Sequence, residues 1–184
     1  MGMPQAARRY TVDEVLAFPA DGHRYELAHG ELLVTPAPSQ PHQIVLGELF
    51  YRLRTYLEDF REIACLFISP ADIIWGPHEY VQPDLFVVPA REVTGNWRDC
   101  QTLLLAVEIV SPSSARYDRI IKRRLYQEHG VDTYWIMDPD AAMVEVWQPD
   151  DERPEIVTDV LRWQVAPDAG ELEIDLAEIF TVPG

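Results

Sequence analysis

Three residues of this chain have types and settings suited to one chemistry: Asp84, Glu108 and Lys122. Glu108 falls inside LLLAVEIV, residues 103–110, an apolar run that reads as a central strand buried on both faces. An ionised carboxylate there costs several kcal/mol unless it is paired, protonated or bound to a metal. The plain alternative is a buried ion pair with an arginine. Asp84 follows Gln82-Pro83 and opens the strand LFVV, where proline is tolerated. Taken alone, Asp84 reads as a turn or strand-end residue. Together the two acids say more. One irregular loop separates their strands, so they can be sheet neighbours with both carboxylates at one end. Two or three oxygen ligands completed by water is how Mg²⁺ is usually held.

Lys122 stands out by composition. Of 15 basic residues, 14 are arginine, so general surface charge is already supplied. Lysine offers what arginine does not, a compact point charge whose pKa can fall. Beside a scissile phosphate it can hold or help deprotonate the attacking water and offset developing charge. The competing reading is an ordinary helix salt bridge with Asp118, four residues earlier, worth a few tenths of a kcal/mol. Asp118, Lys122 and Tyr126 form one stripe, with Ile121 and Leu125 as the apolar stripe beside it. Glu26, in the alternating strand Arg24-Tyr25-Glu26-Leu27, is either a surface glutamate or a third carboxylate reaching the same region. His42 is either a helix-start residue or a ligand.

The elements that must position these residues follow from periodicity. A capping box at Thr11–Glu14 opens a short helix, about 12–18. Strands 24–28 and 31–35 flank the hairpin signal His29-Gly30. Pro36, Pro38 and Pro41 predict a stiff loop before an amphipathic helix over about 42–59. Strands are expected near 62–68, 71–75 and 84–88, with a polar loop at 89–101. A helix at about 114–129 follows the strand of Glu108 and stops at Gly130. Strands near 133–137, 143–147, 155–160 and 171–174 follow, then a last helical turn after a second capping box, Asp175–Glu178. This is one α/β (α+β) domain, residues 1–184, a mixed sheet flanked by helices.

Composition bounds the rest. No apolar run approaches the ~20 residues of a membrane span, and Met1 to Tyr10 holds no secretory-type apolar stretch, so the chain reads as cytoplasmic. Cys65 and Cys100 lack metal-like spacing and read as reduced structural thiols. Net charge is −16, which argues against a broad basic face for nucleic acid but not against a local groove. Residues 132–184 carry 14 acidic and 2 basic side chains; residues 108–129 carry 3 acidic and 5 basic. The positive island coincides with the candidate site.

At these residues the sequence resembles the PD-(D/E)xK nucleases, and within them the Uma-type restriction-endonuclease family of bacteria. The matching segments are RYELAHGEL (24–32), His42-Gln43, QPD (82–84), AVEIVSPSS (106–114), Asp118-Lys122-Tyr126 and GVDTYWIMDP (130–139). They run in order over most of the chain. The resemblance implies a restriction-endonuclease-like core, Asp84 and Glu108 as Mg²⁺ ligands with the carbonyl of Ile109, Glu26 as an accessory carboxylate, and a homodimer. The superfamily's lysine usually lies two residues after the acid, where this chain has Val110; the related family moves it to the next helix, which is Lys122 here. The expectation is a Mg²⁺-dependent endonuclease (Mn²⁺ substituting) acting on duplex or structured DNA, with Glu26, Asp84, Glu108 and Lys122 catalytic. Two alternatives stay open: a catalytically degenerate binding or assembly module, and a hydrolase of a smaller phosphodiester.

Overall fold

The computed structural model describes residues 8–35 and 37–181. Pro36 and most of the leading segment, where sequence suggested a stiff loop and no signal, lie outside the described residues. Short helix α1 (Val12–Leu16) opens on the expected capping box: Thr11 accepts from the Glu14 amide, and Glu14 accepts from the Thr11 amide. Strands β1 (Arg24–Ala28) and β2 (Glu31–Thr35) pair as a hairpin. Its two-residue turn has positive φ at both His29 (52°) and Gly30 (79°), the geometry that matches strand twist. A Cβ at Gly30 would also sit 3.2 Å from the Arg9 Cβ.

Helix α2 (Gln40–Tyr56) starts earlier than its periodicity predicts, because Ser39 caps it and Pro41 fits its first turn. It ends in a 3₁₀ turn, Leu57–Phe60. Then come β3 (Ala64–Ile68), β4 (Ile73–Gly76), β5 (Glu79–Val81), β6 (Leu85–Pro89) and β7 (Leu105–Ile109). The three-residue β5 carries too little alternation to be read from sequence. The polar stretch between β6 and β7 holds two 3₁₀ turns. After β7 the helix is not uniform. Tyr117–Lys122 is π-helical and only Arg123–Glu128, α3, is regular.

Strands β8 (Tyr134–Asp138) and β9 (Met143–Trp147) follow, and the acidic tail gives β10 (Glu155–Val157), β11 (Val160–Trp163), β12 (Leu172–Asp175) and α4 (Leu176–Phe180). Asp175 caps α4, but Glu178 bonds Arg52 on α2 instead of closing a second capping box.

The main sheet has the order β10-β9-β8-β7-β6-β3, with β7 and β8 parallel and the other pairs antiparallel. The hairpin belongs to a second sheet, β2-β1-β5-β4, and β11-β12 form a third. One core lies between the main sheet and α2, holding Leu49, Leu85, Val107 and Trp135. The other lies on the opposite face, where Phe86, Ala106, Leu125, Tyr126 and Ile136 meet Ala28 and Leu33 of the hairpin. Chain topology thus presses the hairpin and the π-helical segment onto one end of β6 and β7. Among the described residues no helix is long and apolar enough to cross a membrane.

Replacing Gly30 by alanine forces a side chain into left-handed backbone. A loss of about 1–2 kcal/mol is expected in urea denaturation; an unchanged midpoint would contradict the turn assigned to His29-Gly30.

Candidate active site

Register brings the two acids together. Leu85 pairs with Val107 in the antiparallel β6–β7 ladder, so Asp84 lies opposite Glu108 where the ladder ends. Both are 2% exposed. The hairpin brings Glu26 (0% exposed) and the π-helical segment brings Asp118 and Lys122, also buried. All four residues expected to be catalytic converge, and a cleft of ≈ 150 Å³ opens onto Asp84, Glu108, Ile109, Asp118 and Lys122. Several waters fit there, at about 30 Å³ each.

Lys122 is the hub. Its Nζ is 3.0 Å from Glu108 Oε1 and 2.9 Å from Glu26 Oε2, the latter an ion pair without hydrogen-bond alignment. The helix salt bridge with Asp118 exists but is longer, 3.7 Å. The stripe Asp118-Lys122-Tyr126 therefore faces the sheet rather than solvent. Burial alone disfavours the ammonium, but Glu108, Glu26 and Asp118 more than offset it, so the Lys122 pKa lies above its ordinary value. Lys122 stays charged, which removes the proton-acceptor role the sequence allowed it and keeps the electrostatic one.

Asp84 is held differently. Its Oδ1 accepts from both terminal nitrogens of Arg24, each at 3.0 Å, and its Oδ2 takes the Ile109 amide and His42 Nε2, each at 2.9 Å. Burial raises this carboxyl; the His42 hydrogen bond, the Arg24 charge and the Ile109 N–H reverse that and bring it to about 2. Glu108 goes the other way. Burial pushes it well above the carboxylate range against the pull of Lys122, and Asp118, Asp84 and Glu26 add to the rise. Both hydrogen bonds to Glu108, from Lys122 and from Tyr126 Oη at 2.8 Å, arrive at Oε1. Asp118 rises to about 6, chiefly by burial.

Four buried carboxylates, Glu26, Asp84, Glu108 and Asp118, thus face two permanent cations, Arg24 and Lys122. Fully ionised, these acids would exceed the cations by two charges beside an open cleft; burial of Glu108 and Asp118 offsets part of that excess with bound protons. In a strand, the N–H and C=O of one residue leave on the same edge, so the Ile109 carbonyl points where its amide does, past the end of β6. Two carboxylates and a carbonyl are hard oxygen donors of the kind Mg²⁺ takes. The donor set fits; the arrangement is not a ready cage. Among the described residues no three His, Cys, Asp or Glu side chains already converge on one metal position.

One participant, Arg24, was not singled out by the sequence. The i, i+2 spacing of Arg24 and Glu26 puts both on one strand face, but nothing local marks Arg24 as a partner of Asp84. His42 lies in the first turn of α2, with its amide on Ser39 Oγ, and its ring also binds Asp84. Val110, where the usual nuclease motif has lysine, packs in the core, and Lys122 reaches Glu108 from the helix.

A mixed sheet with helices on both sides and paired acids at the ends of neighbouring strands defines the restriction-endonuclease-like class. The chain belongs to the Uma2 family, described as "Putative restriction endonuclease", whose model matches residues 12–177. A crystal structure of a protein from Anabaena variabilis, described as a putative nuclease belonging to DUF820, superposes with a TM-score of 0.75 at 23% identity, covering 92% of this chain and 97% of that one. At that identity the likeness speaks for the fold. No curated protein matches the sequence.

The raised Asp118 carboxyl has a definite pH consequence. A proton held more tightly in the folded state makes stability fall as pH rises from about 4 through 6, and the loss persists above. Asp118→Asn is expected to match the wild type near about pH 4 and to exceed it by up to about 3 kcal/mol near about pH 8. Urea denaturation at both values reads this; a gap that does not widen with pH would contradict it.

Proposed function

We propose that this chain is a divalent-cation-dependent phosphodiesterase that cleaves DNA. The observation that carries the reading is the excess of acids over cations at the cleft: four buried carboxyl groups against Arg24 and Lys122, an imbalance that a divalent ion would offset. Asp84, Glu108 and the Ile109 carbonyl would hold the ion. Bound Mg²⁺ supplies a polarised phosphate and a water of lowered pKa.

The chain's own residues do the remainder. Lys122, fixed by Glu26 and Asp118, offers a permanent positive charge to a phosphate that gains negative charge as the P–O bond breaks. Glu26 keeps Lys122 in place through Oε2, while its Oε1 is anchored by the Gln82 amide at 2.7 Å. Tyr126 and Lys122 both bond Oε1 of Glu108 and so fix its orientation. Family membership supports DNA as the substrate. The overall charge of −16 implies that affinity comes from local contacts and the bound cation rather than from a broad basic face.

One observation favours a second reading. All the acceptor positions of Asp84 are filled by protein donors, as they would be in a metal-free binding or assembly module that keeps the nuclease fold.

Purified protein is expected to nick or cut plasmid or branched DNA with Mg²⁺ or Mn²⁺ and not with EDTA. Asp84→Asn and Lys122→Ala should each lower the rate by at least about a hundredfold. Cleavage no faster than that of the double variant, across supercoiled, linear and branched substrates, would leave the assembly-module reading standing.

A further inference from the structure

Arg24 occupies the side of Asp84 that an incoming cation needs. A carboxylate offers about four acceptor positions, and here Oδ1 holds two Arg24 nitrogens while Oδ2 holds His42 and the Ile109 amide. A cation can reach Asp84 only if one donor withdraws. The Ile109 amide is fixed in the backbone of β7. His42 is held in the first turn of α2 with its side chain 9% exposed. Arg24 is the most exposed of the three, at 19%, and it lines the cleft. Its other contacts are modest: Nη1 donates to the Gln82 carbonyl at 3.0 Å and Nη2 to the Ser69 hydroxyl at 3.2 Å.

We propose that Arg24 is an exchangeable cap and a phosphate ligand. It covers Asp84 Oδ1 while no cation is bound, and it turns into the cleft to hold a non-bridging oxygen of a DNA phosphate when a cation takes its place. This rests on the reading that Asp84 and Glu108 hold a divalent ion. Charge gives the exchange its logic. With Arg24 on Asp84, a divalent ion would meet a guanidinium and Lys122 together, and like charges a few ångströms apart in a buried site repel strongly. Once displaced, the guanidinium has its planar fork free, and phosphate is a group that the fork binds well. The same side chain thereby makes cation uptake harder and substrate binding easier.

The signature is a pair of opposite effects. Arg24→Gln should bind Mg²⁺ about ten- to a hundredfold more tightly than the wild type by titration calorimetry, the scale of charged hydrogen bonds no longer given up. The same variant should bind a short DNA duplex in Ca²⁺ buffer about tenfold more weakly. In the unaltered protein, the Arg24 side-chain nitrogen resonances should shift on Mg²⁺ addition and again on duplex addition, which keeps the test valid if the variant folds poorly. Equal Mg²⁺ affinity in wild type and variant, or Arg24 resonances that ignore Mg²⁺, would overturn the exchange and leave the nuclease reading intact. Absence of Mg²⁺ binding in both proteins would overturn the exchange and the cation site together.

Discussion

A single buried ammonium holds this site together. Lys122 is 3% exposed and meets carboxylates from three places: Glu26 on the hairpin, Glu108 on the central strand and Asp118 one turn back on its own helix. Removing Lys122 itself would cost about 3–5 kcal/mol, because its carboxylates would stay behind uncompensated. Hairpin, sheet and helix are therefore fixed relative to one another by the group that would act on substrate. The π-helical segment lies on that group's element, and such segments are frequent at functional sites.

The second constraint is charge. Lys122 and Arg24 do not neutralise the four acids around them, and the molecule meets that imbalance in two ways at once. Asp84 is kept ionised by its donors, whereas burial drives Glu108 and Asp118 toward protonation. Neighbouring carboxylates whose environments push their pKa values apart are a recurring feature of acid–base sites. Here the opposed pair sits side by side at the end of β6 and β7.

Much of this could be read in the sequence. Glu108 was conspicuous because an acid interrupts an apolar run, and Lys122 because arginine serves everywhere else. The hairpin followed from His29-Gly30. What escaped depended on tertiary contacts. Alternation made Glu26 half-exposed, yet it is fully buried, its carboxylate set between the Gln82 amide and the Lys122 ammonium. The spacing of Asp118, Lys122 and Tyr126 showed a stripe but not its direction, and Ile121 and Leu125 were the more obvious core-facing pair. Arg24 gave no local sign of its role, since its partners lie 45 to 60 residues away. The π-helical turn leaves no mark in a hydrophobic pattern read at 3.6 residues per turn.

If the acids around Asp84 and Glu108 form a divalent-cation site, an ion must be able to enter the cleft beside them. A crystal structure of the protein soaked with Mn²⁺, with anomalous scattering locating the ion, tests it most directly. One Mn²⁺ is expected in the cleft, ligated by Asp84, Glu108 and the Ile109 carbonyl, with Arg24 moved off Asp84 Oδ1 and Lys122 still on Glu26. Full-strength Mn²⁺ elsewhere, or a cleft in which Arg24 and Asp84 remain paired and no ion binds, would contradict it.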